Sequence, residues 1–191
     1  MNYLGHLVLS GKNDEVLFGN FIADSIKGSS YLDWPKDIQN GILLHRFIDS
    51  FTDSNENYLK GKRRFYDQYP KVGGVINDII YDYLLWQYEL EYQTINLHKE
   101  ITRFYNVLDT YKSKMPENLR FMYGYMKRDN WLLNYKYESG IKRALNGIGR
   151  RMKYSNNLEQ SFQVVKTNLD TYNLEFKLFF EEIKVETSSF M

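Results

Sequence analysis

The chain has 191 residues with 25 Lys and Arg, 24 Asp and Glu, no cysteine and three prolines, a length that fits one domain or at most two small ones. Hydrophobic residues at 43% and charged residues at 26% exclude collagen-like, low-complexity and disordered classes. A net charge of +1 gives no whole-molecule field for wrapping a nucleic acid, so an acidic partner must be met by a local patch.

The absence of cysteine excludes a disulfide scaffold, a zinc ribbon and a thiol nucleophile, and suits a reducing compartment. The opening MNYLGHLVLS lacks a basic n-region, and its apolar run LVL is broken by Ser10, Gly11 and Lys12, so no signal peptide is expected. No stretch approaches the roughly 18 to 20 apolar residues of a spanning helix, and the expectation is a soluble, cytoplasmic protein with no membrane span. Seventeen tyrosines read as core and groove walls rather than as a base-stacking surface.

The periodicity is helical almost throughout. Asp33 followed by Pro35 marks a helix start, and Ile38, Ile42, Phe47, Ile48 and Phe51 carry that helix from about 35 to 52. A second runs from about 73 to 92 through Val75, Ile79, Ile80, Leu84, Leu85 and Trp86. Pro116 opens a further helix after a break at Lys112–Lys114. Residues 156 to 184 read as one long amphipathic helix through Leu158, Phe162, Val165, Leu169, Tyr172, Phe176 and Phe179. The tail from Thr187 to Met191 is expected to fray. With no repeat, linker or composition step, the economical reading is a single all-α domain over residues 1–191, with roughly eight helices. Residues 154–191 carry six acids and three bases, which leaves the basic excess in the body of the chain.

No phosphate loop, dinucleotide fingerprint or nucleophile elbow is present. The signal is instead polar residues on stripes that should be apolar. In LLHRFIDSFTDS, His45, Asp49 and Asp53 continue the stripe of Ile38 and Ile42 at four-residue spacing. Such spacing puts neighbouring side chains about 6 Å apart, close enough for His45 and Asp49 to share one metal. Asp53 lies about 12 Å from His45 along the axis, too far for the same shell, and would support that site or serve a second ion. In INDIIYDYLLW, Asp78 and Asp82 repeat the four-residue spacing, and Asp24 in GNFIADSIKG is a third source near a helix end at Gly28. That many inward carboxylates repel unless a cation joins them, and a mixed imidazole and carboxylate shell suits manganese, iron or magnesium. The structural alternative is ion pairing, with Lys27, Arg46 and Arg63 as available partners. Read alone, His6 is a satisfied buried histidine and His98 a solvated helix-start residue.

Two basic clusters stand out, Lys60, Lys62, Arg63 and Arg64, then Lys142, Arg143, Arg150, Arg151 and Lys153. They are either solvated faces or a surface for an acidic protein or a phosphate. Gly147 and Gly149 within the second would let backbone approach a ligand closely.

The stretches MNYLGHL, GNFIADSIKG, GILLHRFIDSFTD, DIIYDYLL and NWLLNYKYESGIKRALNGIGRRM are collinear over about residues 1 to 153. Together they resemble the acyl carrier protein phosphodiesterases. The resemblance implies an all-helical fold related to the histidine-aspartate (HD) metal-dependent phosphohydrolases, although the chain contains no literal His-Asp dipeptide. It also implies a Mn2+- or Mg2+-dependent enzyme that cleaves 4′-phosphopantetheine from the serine of holo-acyl carrier protein.

Carried over by position, Asp24, His45, Asp49, Asp53, Asp78 and Asp82 fall on the family's motif residues and His6 on its N-terminal histidine. The reading makes Asp24, His45, Asp49, Asp78 and Asp82 candidate ligands, with one of the acids left to orient or deprotonate water. Family members often have a histidine directly after the aspartate at position 82. Here that place holds Tyr83, so Tyr83 or His6 would substitute in any proton transfer. Arg46 or Arg150 would neutralise the phosphate. Lys62, Arg63, Arg64, Arg143, Arg150 and Arg151 would dock the acidic carrier, and Trp131 and Tyr135 would line the pantetheine channel. Two alternatives stand beside this reading: a phosphohydrolase of a nucleotide or other small phosphate ester, and a non-catalytic helical module that binds acidic proteins.

Overall fold

The computed structural model describes residues 1–152 and 157–190. Lys153, position 156 at the expected start of the last helix, and Met191 lie outside the described residues. Within them the chain forms α1 (Tyr3–Val8), α2 (Asp14–Ile22), α3 (Lys36–Ser54), α4 (Glu56–Arg63), α5 (Gly73–Tyr92), α6 (Leu97–Thr110), α7 (Glu117–Arg128), α8 (Trp131–Asn134), α9 (Glu138–Gly149), α10 (Phe162–Thr167) and α11 (Leu169–Thr187), with no strand. The all-α expectation is met. None of the described helices is long and apolar enough to cross a membrane.

Helix starts and stops follow local chemistry. Pro35 and Pro116 occupy the residues just before α3 and α7, where a missing N–H costs nothing. Asn55 ends α3 and opens α4 by accepting from the Asn57 and Tyr58 amides at 2.9 and 3.4 Å.

The expected single helix from 156 to 184 is interrupted. A 3-10 turn at Leu158–Ser161 leads into α10, and α11 begins only after Asn168, whose φ of −125° leaves the helical region. The Thr167 hydroxyl donates to the Gln163 carbonyl and the Asn168 amide to that of Val164. Such side-chain bonds to the backbone compete with the helix ladder. The tail does not hang free as far as it is described, since Phe190 packs its ring 5.2 Å from that of Phe47.

One hydrophobic core runs through these elements. Helix α5 lies within it, burying Ile76, Ile80, Tyr81, Leu84, Leu85 and Trp86, and α11 covers α5 with Phe176, Phe179 and Phe180. Each of those phenylalanines contributes about 1.5–3 kcal/mol by leaving water.

Two junctions position the site. Helices α2 and α3 meet backbone to backbone at Gly19 and Gly41: a Cβ on Gly19 would stand 2.2 Å from the Ile38 carbonyl oxygen, and one on Gly41 2.1 Å from that of Val16. Only glycine permits this approach. Helix α1 is seated on α5 by Asp82, whose carboxylate accepts from the Leu4 and Gly5 amides, each at 3.1 Å. These are unsatisfied donors of the first turn of α1, so Asp82 fixes the start of the element that carries His6.

Candidate metal centre

Three chain segments deliver the polar cluster. Helix α1 supplies His6, the turn after α2 supplies Asp24, and α3 supplies His45 and Asp49 one helical turn apart. The Asp49 carboxylate bridges the two imidazoles, with Oδ1 3.2 Å from His6 Nε2 and Oδ2 3.1 Å from His45 Nε2. Asp24 Oδ1 approaches the same His45 nitrogen at 3.2 Å. The rings stack with centroids 4.2 Å apart, and ligand-type atoms of His6, His45 and Asp49 all lie within 4.8 Å of one another. Both histidines are buried, Asp49 is half-buried and Asp24 is exposed. The cluster therefore sits where the α3 stripe emerges from the core.

The far side of each ring meets one residue. Asn20 Oδ1 lies 2.9 Å from His6 Nδ1 and 3.0 Å from His45 Nδ1. Its amide nitrogen donates to the His6 carbonyl at 3.2 Å and to the Ser10 hydroxyl at 2.9 Å, while that hydroxyl donates to the His6 carbonyl at 2.8 Å. With the amide so oriented, its oxygen can only accept, and both Nδ1 atoms carry protons. Two Nε2 atoms then face three carboxylate contacts.

Burial, with the neighbouring His45 and the N-terminal amine, lowers the His6 pKa despite the Asp49 bond, so this ring is neutral and its Nε2 is an acceptor facing an acceptor. For His45, burial is outweighed by the bonds to Asp24 and Asp49, which raise its pKa to about 9. Asp49 is held well below the usual carboxylate range by the two histidines, against burial, and Asp24 is lowered first by its bond to His45. The Asp49 carboxylate faces the lone pair of neutral His6, an opposition that a cation at that point would relieve, and two imidazole nitrogens with carboxylate oxygens are a fitting donor set for a divalent ion.

These residues line a cavity of about 390 Å³, a volume within the range of small-ligand sites. Thr52, Asp53 and Asp78 share its wall. The Thr52 hydroxyl is buried and has no hydrogen-bond partner among the described residues. Tyr3, Asn2, Ile79 and Ile148 also line an adjoining groove of about 490 Å³, together with Trp131, Tyr135, Arg143 and Arg151. The two spaces therefore share a wall.

The remaining sequence candidates are engaged elsewhere. Asp82 is fully buried with its carboxylate on the α1 amides, and burial raises its pKa to about 7 against those two bonds. Asp78 lines the cavity, but its Oδ1 accepts from the Met1 amine at 2.9 Å and the Tyr58 hydroxyl at 2.7 Å. The structure thus gathers two imidazoles, Asp49 and Asp24 at one point, while Asp78 and Asp82 are bonded to other donors. Tyr83 lies edge-on to Phe162 at 5.3 Å and lines neither space.

Arg46 donates to the Ile26 and Gly28 carbonyls and stacks over Tyr31, which ties down the loop where Gly28 takes a φ of +54°. In the first basic cluster, Arg63 pairs with Glu56, and Arg64 makes a two-pronged pair with Glu175 at 2.6 Å per bond. Lys62 reaches alongside Gly74 on α5. In the second, Lys142 pairs with Glu138, whereas Arg143, Arg150 and Arg151 are exposed and form no ion pair among the described residues. Asn20, buried on α2, and Ser10 join the cluster from outside the apolar stripe that marks His45 and Asp49 in the sequence.

The family model described as "Acyl carrier protein phosphodiesterase" matches residues 1–183. A Photorhabdus laumondii protein of that name is 28% identical over 94% of this chain and 91% of its own length. An Enterobacter protein of the same name is 26% identical over 99% of this chain and 98% of its own, and one from Klebsiella pneumoniae is 28% identical over 96% and 95%. No solved structure gives a significant match. Matched from residue 1 to residue 183, within α11, with the cluster of α1, α2 and α3 inside the matched region, the chain belongs to the acyl carrier protein phosphodiesterase family.

Proposed function

We propose that this chain is a metal-dependent phosphodiesterase that releases 4′-phosphopantetheine from the serine of a holo-acyl carrier protein. The observation that carries the reading is the cluster of two imidazoles and two carboxylates at the wall of a cavity that adjoins an aromatic, arginine-edged groove. His6 and His45 through Nε2, and Asp49 through its bridging carboxylate, would hold a divalent cation, Mn2+ or Mg2+, with Asp24 at the open edge. Such a cation supplies Lewis acidity toward a phosphoryl oxygen and a more acidic water at neutral pH.

Asp24 is the exposed carboxylate of the set. Its Oδ1 faces His45, and Oδ2 is the atom that takes the proton of the attacking water. The water oxygen bonds to phosphorus, the bond from phosphorus to the serine oxygen breaks, and that oxygen takes up a proton from solvent as it leaves. Asp53, exposed one turn beyond Asp49 on the cavity wall, orients the water without joining the ligands. Asp78 and Asp82 hold α1 in place rather than the metal. His6 and Asp24 leave no task for Tyr83.

The cation-rich side of the groove favours an acidic partner. Arg143, Arg150 and Arg151, free of ion pairs among the described residues, form the docking surface, whereas Arg63 and Arg64 are neutralised by Glu56 and Glu175 and drop out of it. Arg151 acts electrostatically on the Tyr3 phenol, which lines both spaces, so its charge bears on the passage between groove and cavity. Trp131 and Tyr135 line the groove that takes the pantetheine arm. A cysteine-free chain suits the reducing cytoplasm as the setting.

The test is to incubate metal-stripped protein with a holo-acyl carrier protein, with and without Mn2+, and to read the carrier's mass. Loss of the phosphopantetheine mass only with metal is expected, and its persistence under every divalent metal contradicts the activity. In the same assay Arg150→Glu with Arg151→Glu should raise KM and leave kcat nearly unchanged. An unchanged KM removes the docking role.

A further inference from the structure

We infer that Asn20 is a positioning residue of the metal centre: a single amide oxygen fixes the tautomer and orientation of both His6 and His45, so that both Nε2 atoms are presented as ligands. The inference rests on the metal-dependent reading above and adds to it a residue that touches neither metal nor substrate. Three observations carry it. Asn20 Oδ1 lies within hydrogen-bond distance of both Nδ1 atoms, at 2.9 and 3.0 Å. The amide cannot be turned over without loss, because its nitrogen already donates to the Ser10 hydroxyl and the His6 carbonyl, both acceptors in this arrangement. Asn20 is itself 1% exposed, so no water competes for its oxygen.

A free imidazole chooses between two tautomers, and one that flips presents the wrong nitrogen or an N–H to a cation. Ligating histidines are commonly held by a partner on the other ring nitrogen, and loss of that partner typically weakens metal binding about 10- to 100-fold. Here one residue does this for two ligands from two different helices. The stacking of the rings at 4.2 Å follows from the shared acceptor. Ser10 keeps the amide in register.

The experiment compares Mn2+ binding isotherms, read by the loss of the free-ion electron paramagnetic resonance signal, for the parent protein and for Asn20→Leu, Asn20→Asp and Ser10→Ala. Melting of each protein is followed in chelator as a measure of folding. Asn20→Leu, which has no acceptor, should weaken Mn2+ binding about 10- to 100-fold. Asn20→Asp, which keeps an acceptor for both rings but loses the donor, should stay within about threefold of the parent, and Ser10→Ala should fall between them. Equal losses in Asn20→Leu and Asn20→Asp, tracking their losses of melting temperature, would make Asn20 a merely structural residue and overturn the inference. Parent-like binding in Asn20→Leu would also overturn it. A parent protein that binds no Mn2+ would instead refute the metal reading on which the inference rests.

Discussion

Helices α3 and α5 each carry two potential ligands four residues apart on an otherwise apolar stripe, His45 and Asp49 on one, Asp78 and Asp82 on the other. Their fates diverge because of what reaches them. The α5 pair meets donors: the Leu4 and Gly5 amides at Asp82, the Met1 amine and the Tyr58 hydroxyl at Asp78. In the α3 pair Asp49 sets an acceptor against the lone pair of neutral His6, while protonated His45 is shared between Asp49 and a further carboxylate, Asp24. A polar residue on a buried stripe always needs a partner, and only the chemistry of that partner separates a helix anchor from a metal ligand.

The contrast is broken most severely by exchanging the roles of Asp49 and Asp82. Asp49→Asn should lower Mn2+ affinity and turnover by more than about 100-fold, beyond the range seen for residues that merely support a ligand. Asp82→Asn should leave Mn2+ affinity within about threefold. Its effect falls on folding instead, with a loss of about 1–3 kcal/mol in denaturant unfolding as a buried amide loses its acceptor. If Asp82→Asn abolished metal binding while the protein stayed fully stable, the two helices would have to be reassigned.

A smaller effect sharpens the comparison through pH. In the metal-free protein His45 has a pKa of about 9 when folded against 6.5 when unfolded. The folded state thus binds the extra proton between these values. Its contribution is complete below pH 6.5 and disappears as the pH rises through 9. Melting in chelator should therefore fall across that window, and His45→Gln should flatten the fall. Mn2+ requires the deprotonated nitrogen, so the rise in melting temperature on adding Mn2+ should grow over the same range. A metal effect independent of pH would place the ion away from His45.

Much of this was legible from residue spacing. The α3 stripe from Ile38 to Asp49, the limits of α5 and the helix after Pro116 follow from period and capping, which are local. What stayed hidden depends on contacts between distant parts of the chain. Nothing near Asp82 announces that amides 77 and 78 residues earlier will occupy it, and nothing near Arg64 announces Glu175. His6 read as an ordinary core histidine because its partners arrive from α2 and α3. Asn20 was hidden more deeply, since an asparagine on an apolar helix gives no sign of the two rings it will serve. The break at Asn168 is not visible in the period, because a side-chain bond to the backbone interrupts a sustained hydrophobic pattern.

Anomalous diffraction from crystals soaked in Mn2+ distinguishes a cation between α1 and α3 from one on α5. The expected peak is bounded by His6 Nε2, His45 Nε2 and the Asp49 carboxylate, with Asp24 beside it. A peak at Asp78 or Asp82, or none near the two imidazoles, would contradict that placement.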